Sequence, residues 1–536
     1  YIEKLHSNTH SKKVLVSLPL YTTFYSFSPQ LAMSTERLIY SPKHLTEVTL
    51  EERGLRITDQ SLEVLHENDH DHNFLSACLQ TYSRSGDLES HIPFKSIIWC
   101  EKLTSDDYQD LYELAYMYSS SKSLKPETIQ IQIKSIDPSQ VHLTSESSDV
   151  SKYILSRAYE KSLISPSILV IINPHGGQGN AVRIYEQKIL PVLKEAHVNI
   201  TYKETKYQGH AMEIAKTLDI NSYDIIACCS GDGIPHEVIN GFYQRPDKGL
   251  DAFNDIAVTQ LPCGSGNAFT LSTHGSNDAS IATLNMLKSQ KAKLDLMAVT
   301  QGSGNEEKTS LSFLTQCYGI IADSDIGTEH LRWMGPIRFD LGVTYKVFKR
   351  SKYPCDIYVN SVTETKRDVS DHFDEHYRTN TGLKTLTAEE FELKYPGLDQ
   401  SPPDDWIKLP DATTANLNIL YVGKMPYVSD DAQFFPAALP NDGSMDMIIT
   451  DTNMSIIETT STLLSVSKGT HVYSDKVYHS KILSYRLVPK LAKPENHYIS
   501  IDGENFPTEA LQVEIMPGIL TGLLSDGNFV NTSFSK

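Results

Sequence analysis

Hydrophobic and polar positions change rhythm three times along the chain. Residues 1–40 are rich in Ser, Thr, His and Tyr without a clear period, the pattern of a poorly ordered tail. From 41 to 162 short apolar pieces stand out: Leu45-Thr-Glu-Val-Thr-Leu50, Ser96-Ile-Ile-Trp99 and Thr128-Ile-Gln-Ile-Gln-Ile-Lys134. The last alternates residue by residue, which predicts a strand with one buried face. The polar run Glu146 to Lys161 predicts a helix with Ile154 and Tyr159 inward. Together these elements predict a small β-rich module closed by a helix.

Between 163 and 296 the pattern becomes strand, glycine turn, helix, repeated. Ser167-Ile-Leu-Val-Ile-Ile172 is apolar throughout, as in a strand buried on both faces of a parallel sheet. Ala181, Tyr185 and Ile189 then mark a helical stripe. Val198, Ile200 and Tyr202 alternate as a second strand, followed by a helix with Ala211, Ile214, Ala215 and Leu218 inward. Asp224 to Cys229 and Ile256 to Leu261 supply two more strands. This alternation predicts an α/β doubly wound lobe. From 297 to 536 the helices drop out between extended segments at 293–300, 311–317, 356–360, 416–422, 445–450, 481–488 and 498–501, which predicts a mainly antiparallel β-sandwich lobe. The acidic, Pro-containing stretch 363–415 interrupts it and is expected to form a mobile surface insertion.

Composition narrows the functional classes. A 40% hydrophobic share over 536 residues supports two or three packed domains. A formal net charge of -19 argues against nucleic acid as a partner, because phosphate backbones need basic surface. The seven cysteines are odd in number, contain no C-x-x-C pair, and suit reduced core thiols in a cytosolic protein. No stretch has the roughly 18 uncharged apolar residues of a membrane span. The chain opens on Tyr1 rather than Met, so a natural leader is expected to be missing from it.

Candidate chemistry lies in three glycine turns, each directly after a strand and before a helix. They are Asn173-Pro-His-Gly-Gly-Gln-Gly179, Ser230-Gly-Asp-Gly233 and Leu261-Pro-Cys-Gly-Ser-Gly-Asn267. Glycines let the backbone turn sharply and present N–H groups to an anion at a helix N-terminus. The first is not a Walker A loop, since no Gly-Lys-Ser/Thr follows. Asp232, between two glycines at the mouth of a parallel sheet, is poor packing material, and the helix start is expected to favour its ionised form. In the helix that follows, Ile234, Val238, Ile239 and Phe242 face the sheet and leave His236, Glu237 and Asn240 on another face. Loops leaving one sheet edge converge on a ligand beyond the strand ends, here a polyphosphate.

Ser230-Gly-Asp-Gly-Ile-Pro-His-Glu-Val-Ile-Asn-Gly241 and Leu261-Pro-Cys-Gly-Ser-Gly-Asn-Ala268 resemble signatures of the diacylglycerol-kinase-like catalytic superfamily. Within it the chain resembles sphingosine kinases, most of all fungal sphingoid long-chain base kinases. Gly319-Ile-Ile-Ala-Asp-Ser-Asp-Ile-Gly327, Trp333-Met-Gly-Pro-Ile-Arg-Phe339, Phe434-Phe-Pro-Ala-Ala438 and Asp502-Gly-Glu504 extend the likeness. It departs in the first turn, where Gln178 and Asn180 stand at positions that are commonly lysine.

The resemblance implies ATP-dependent phosphorylation of the primary hydroxyl of a sphingoid base, with nucleotide held between the two lobes. Carried over position by position, Asp232 is the catalytic aspartate. Asn173, Pro174, Gly176, Gly177, Gly179, Thr205, Ser230, Gly231, Gly233, Glu237, Gly264, Ser265 and Gly266 line the nucleotide, with Glu237 beside the catalytic aspartate. Arg332 and Arg338 reach its phosphates, Asp502, Gly503 and Glu504 border nucleotide and metal, and Mg²⁺ is expected near Asp232 and Asp502. Asp325 and Ser230 meet the substrate. A sphingoid ammonium complements Asp325, whereas diacylglycerol and ceramide leave that carboxylate unpaired. A lipid substrate implies a cytoplasmic protein in transient peripheral contact with endoplasmic reticulum, Golgi or plasma membrane, and Lys346, Lys349, Arg350 and Lys352 among aromatics are candidates to touch it. A homodimer stays open, as do kinase activity on diacylglycerol or ceramide and a catalytically dead membrane adaptor. For residues 41–162, strands closed by a C-terminal helix suggest a pleckstrin-homology-like module.

Overall fold

The computed structural model describes residues 45–57, 91–120, 123–136, 149–177, 179–302, 304–328, 337–377 and 382–535. The expected N-terminal tail, Gln178 and Arg332 lie outside the described residues. Leu45–Glu51 (β1), Gly54–Ile57 (β2), His91–Pro93 (β3), Ile97–Lys102 (β4), Leu111–Ser120 (β5) and Ser123–Ile136 (β6) form one sheet in the order β3-β2-β1-β6-β5-β4. Alternation along β6 buries Ile131 and Ile133 and leaves Lys134 exposed. Helix α1, Val150–Tyr159, starts where the Asp149 carboxylate accepts the Ser151 N–H. It buries Ile154 and Tyr159 against the sheet, and the Tyr159 hydroxyl donates to the Ile98 carbonyl at 2.8 Å.

Ser167–Ile172 (β7), Asn199–Glu204 (β8), Ile225–Ser230 (β9) and Ala257–Pro262 (β10) form an all-parallel sheet in the order β10-β9-β7-β8. The unbroken apolar run of β7 is explained by its two covered faces. Ile168, Val170 and Ile172 share a core with Ala181, Tyr185, Ile189 and the N-terminal module. Leu169 and Ile171 share another with Ala211, Ile214, Val238 and Phe242. Helices α2 (His210–Thr217), α3 (Gly233–Tyr243) and α4 (Ala268–His274) each follow a strand of this sheet.

The second lobe is one curled sheet of 11 strands, with antiparallel pairing throughout the described ladders. Its strands are Gln290–Gln301 (β11), Lys308–Ser312 (β12), Thr315–Gly319 (β13), Cys355–Ser361 (β14), Ile407–Lys408 (β15), Leu417–Gly423 (β16), Met445–Asp451 (β17), Tyr478–Pro489 (β18), Ile499–Ile501 (β19), Glu504–Phe506 (β20) and Leu511–Leu524 (β21). Helices α5 (Ile320–Asp325), α6 (Ile337–Phe348), α7 (Lys366–Tyr377) and α8 (Ile456–Ser465) pack around it. The pattern reading did not include β21, which carries Pro517-Gly518 in its middle. In the fold these residues sit in a bulge opposite Asp295, whose carboxylate accepts the Gly518 N–H at 2.7 Å. Leu294, Leu296, Met516 and Leu520 join Val238, Phe242 and Val258 in one core, so the two lobes are packed together.

The stretch 363–415 is not the mobile surface insertion that its composition suggests. It buries Val369, Phe373, Leu386, Phe391, Trp406 and Leu409. Phe391 packs on Phe253, with ring centroids 5.8 Å apart, and Leu386 exchanges two backbone hydrogen bonds with the Asn254 side chain. The Arg486 guanidinium donates to the carbonyls of Pro396, Gly397 and Gln400. A handful of widely spaced apolar residues anchors a segment whose average polarity conceals them.

Candidate active site

The three glycine turns meet at the carboxyl ends of β7, β9 and β10. Glycine is required where they touch. A Cβ on Gly264 would lie 2.1 Å from the Gly231 nitrogen, and one on Gly177 (φ 58°) would lie 3.2 Å from the Ser265 nitrogen. The third turn is held shut by Asn267, which accepts the Gly264 N–H and donates to the Gly264 carbonyl, both at 3.2 Å. In the first turn Asn173 accepts the His175 N–H at 3.1 Å, and its carbonyl accepts from Gly176. Pro174 and Gly176 are half-buried, while Gly177, Gly179 and Ser265 are exposed. Buried Ser230 ends β9 with its hydroxyl bonded to the Gly231 carbonyl, and buried Thr205 follows β8, its N–H on the Ile172 carbonyl at 2.8 Å.

Asp232 stands at the start of α3, makes no side-chain capping bond to it, and points across to the start of α4. Its Oδ1 accepts from Gln260 Nε2 and the Phe269 N–H, and its Oδ2 from the Ala268 N–H, each at 3.1 Å. Those donors favour the ionised form. Burial outweighs them, with the Asp502 charge adding to it, and pushes the carboxyl up to about 6. The helix start acts in the expected direction and is outweighed by burial.

Helix α3 turns a second face to the β lobe. His236 lies one turn beyond Asp232 and donates from Nδ1 to Asp502 Oδ2 at 2.8 Å. Asn240, a further turn on, bonds to both the N–H and the carbonyl of Leu311 at 2.8 Å. Burial alone depresses His236, but its carboxylate partner prevails and the imidazole is held above its ordinary value.

Asp502 does not border an open site as the resemblance implied. Its carboxylate is buried and accepts five hydrogen bonds, from His236, the Ser312 hydroxyl and the N–H groups of Phe313, Leu314 and Thr315. A carboxylate offers about four lone-pair sites, so Asp502 has no capacity left for a metal. Asp502 (φ 52°) and Gly503 (φ 83°) form the turn between β19 and β20. That turn brings Glu504 to the start of α3, where a Cβ on Gly233 would stand 3.2 Å from Glu504 Oε1. Glu237 is also displaced from the role expected of it. Its two oxygens accept the N–H groups of Gly209 and Ala211 at 2.9 Å, capping α2 and fixing the loop after Thr205.

In the second lobe Asp325 ends α5, and Arg338 lies against it rather than at the glycine turns. Arg338 donates to the Asp325 carbonyl and the Thr328 hydroxyl at 2.9 Å, and its guanidinium is 3.8 Å from the Asp325 carboxylate. Neighbouring Asp323 is buried under Lys346, Tyr353 and His497. The pattern reading did not single out Tyr421. This buried phenol packs edge-on against Phe434 and Phe435, 4.7 and 5.2 Å away between centroids. Its ionisation is pushed far up, by burial first, and it feels both Asp325 and Asp232. A tyrosine in an apolar strand gives no signal of this; Gln260, also missed, could be suspected only as a polar residue inside an otherwise apolar strand.

Among the described residues, no group of three or more His, Cys, Asp or Glu side chains is disposed to hold a metal, and no helix is long and apolar enough to cross a membrane. The six described cysteines are buried thiols.

The diacylglycerol kinase catalytic domain matches residues 167–299. Sphingoid long chain base kinase 5 of Saccharomyces cerevisiae is 42% identical over 481 residues, covering 80% of this chain and 69% of that protein. Sphingoid long chain base kinase 4 of Schizosaccharomyces pombe is 33% identical over 81% of this chain and 88% of its own length. Among solved structures, a diacylglycerol kinase from Bacillus anthracis covers 67% of this chain and 96% of that chain at 17% identity, with a TM-score of 0.43.

Proposed function

The chain belongs to the sphingoid long chain base kinase family, and from that premise we propose that it transfers the γ-phosphoryl group of ATP to the primary hydroxyl of a sphingoid base. One observation carries the reading at the level of residues. Asp232 sits where three glycine turns meet, its carboxylate held across the mouth of the parallel sheet by the Gln260 amide and the Ala268 and Phe269 N–H groups.

Glycine backbones that touch without intervening side chains suit a polyphosphate. Phosphoryl transfer asks for alignment, charge neutralisation and late removal of the hydroxyl proton. Asp232 takes that proton from the acceptor as the new bond to phosphorus forms. Asp325 binds the ammonium beside the reacting hydroxyl, and Arg338, bonded to the Asp325 carbonyl and the Thr328 hydroxyl, orients it. Magnesium neutralises phosphate charge when bound, and Glu504 is the carboxylate we assign to it in place of Asp502.

Contact with a membrane surface is supported by α6. Leu341, Tyr345 and Phe348 are 54%, 62% and 67% exposed on one helical face, followed by exposed Lys349, Arg350 and Lys352. Ile457 and Leu464 on α8 are similarly exposed. A lipid acceptor reaches the site from such a surface.

Transfer of label from ATP to sphinganine or diacylglycerol tests the reading. Wild type phosphorylates sphinganine in preference, Asp232→Asn loses at least about a hundredfold in turnover, and Asp325→Asn loses the preference. Equal turnover by wild type and Asp232→Asn removes the mechanism.

A further inference from the structure

Helix α3 presents Asp232, His236 and Asn240 at intervals of four residues, one above the next on a single face. The first belongs to the reaction; the other two reach the opposite lobe. His236 is 7% exposed and its partner Asp502 3%, so their hydrogen bond is made away from water. Asp502 in turn gathers the Ser312 hydroxyl and the next three backbone N–H groups, which fixes the turn between β12 and β13. β13 then runs directly into α5, at whose end Asp325 stands. A continuous chain of short polar contacts and three elements, α3, β13 and α5, therefore runs from Asp232 to Asp325. Asn240 ties the same helix to β12 at Leu311, one step further from the chemistry.

We propose that His236 is a positioning residue for the acceptor: through Asp502 it sets the spacing between the carboxylate at the phosphoryl-transfer site and the carboxylate that receives the substrate ammonium. This rests on the kinase reading above. A sphingoid base carries its ammonium on the carbon next to the one that bears the reacting hydroxyl, so that spacing decides whether the hydroxyl is in line with the γ-phosphorus. A water molecule attacking in its place has no ammonium to hold and does not depend on the spacing. The nucleotide turns contact one another within the α/β lobe, and the turn that carries Glu504 keeps the Ser312, Phe313, Leu314 and Thr315 donors on Asp502 when His236 is replaced, so ATP binding does not depend on it either.

The test compares sphinganine phosphorylation with lipid-independent ATP hydrolysis in the full chain carrying His236→Phe, His236→Asn or Ser312→Ala. Phenylalanine keeps the ring volume without a donor, while asparagine places an amide N–H near the position of Nδ1. Expected for His236→Phe is a fall in sphinganine kcat of about tenfold or more, since a misplacement of about 1 Å costs up to a hundredfold. KM for ATP and background hydrolysis stay within about twofold by the same argument, and His236→Asn recovers most of the lost kcat. An unchanged sphinganine kcat in folded His236→Phe overturns the proposal. So does a parallel loss of both activities with a raised KM for ATP, the mark of general damage. If His236→Phe does not fold, Ser312→Ala, which removes one Asp502 donor, is judged by the same selective loss of lipid turnover. Wild type that leaves sphinganine unphosphorylated fails the kinase reading itself, a result distinct from each of these.

Discussion

Acidification is the most direct probe of Asp232. Its carboxyl is pushed up to about 6 by burial, against the pull of Gln260 and two helix-start N–H groups. A base acts only when deprotonated, so activity is present above that value and lost as pH falls through it. Between about pH 7 and about pH 5 the ionised fraction drops from roughly nine-tenths to roughly one-tenth, a tenfold loss in kcat/KM; an aspartate at its ordinary value of about 3.9 gives a flat profile there. The Gln260 amide supplies one of the three donors, and a hydrogen bond to a charged group is worth about 1.5–3 kcal/mol. Gln260→Met therefore moves the acid limb up by about 1–2 pH units. The assay is single-turnover transfer from labelled ATP to sphinganine in mixed micelles, where the substrate ammonium stays protonated across the range. A wild-type profile flat to about pH 5, or an acid limb that Gln260→Met leaves in place, refutes Asp232 as the buried base.

Other consequences are open to measurement. Glu237→Gln leaves one of the Gly209 and Ala211 N–H groups without its acceptor, which costs about 1 kcal/mol or more and slackens the loop after Thr205; KM for ATP is expected to rise about five- to tenfold with little change in melting temperature. Asp502→Ala strands five donors at about 1 kcal/mol each, and thermal unfolding should register an exceptional loss of about 5 kcal/mol or a chain that does not accumulate. Phe348→Asp removes an exposed ring worth about 1.5–3 kcal/mol when buried in lipid, and co-sedimentation with vesicles should weaken by about tenfold or more. Unchanged sedimentation would exclude α6 as the contact.

The larger architecture was legible because it is written in local periodicity. The apolar run of β7 and the glycines after β7, β9 and β10 announce a doubly wound sheet and the edge on which its loops gather. The run of extended segments after β11 announces the antiparallel lobe, although helices α5 to α8 lie among them where the pattern reading expected none. What escaped were features decided by partners distant in sequence. Pro517-Gly518 is a turn by composition and a strand bulge by virtue of Asp295. The stretch 363–415 is polar on average and packed by virtue of a few anchors such as Phe391 on Phe253.

The candidate site divides along the same line, and the division explains its errors. Motifs fix which residues are brought near the reaction, since glycine turns and helix starts are local geometry. They do not fix which way a carboxylate faces. Asp502 and Glu504 are two residues apart in one turn, yet the first faces inward onto five donors and the second reaches the start of α3. Glu237 follows His236 directly, and the two point to opposite neighbours, one capping α2 and the other bonding to the β lobe. An acidic residue in such a motif therefore has two destinations, a ligand or a set of backbone N–H groups. Counting the donors that converge on it decides between them, because a carboxylate already holding four or five hydrogen bonds gains little from a metal or phosphate-bound ion that must displace them. By that count Asp502, with five donors, serves the geometry of the site, while Asp232, with three, keeps capacity for the proton we assign to it.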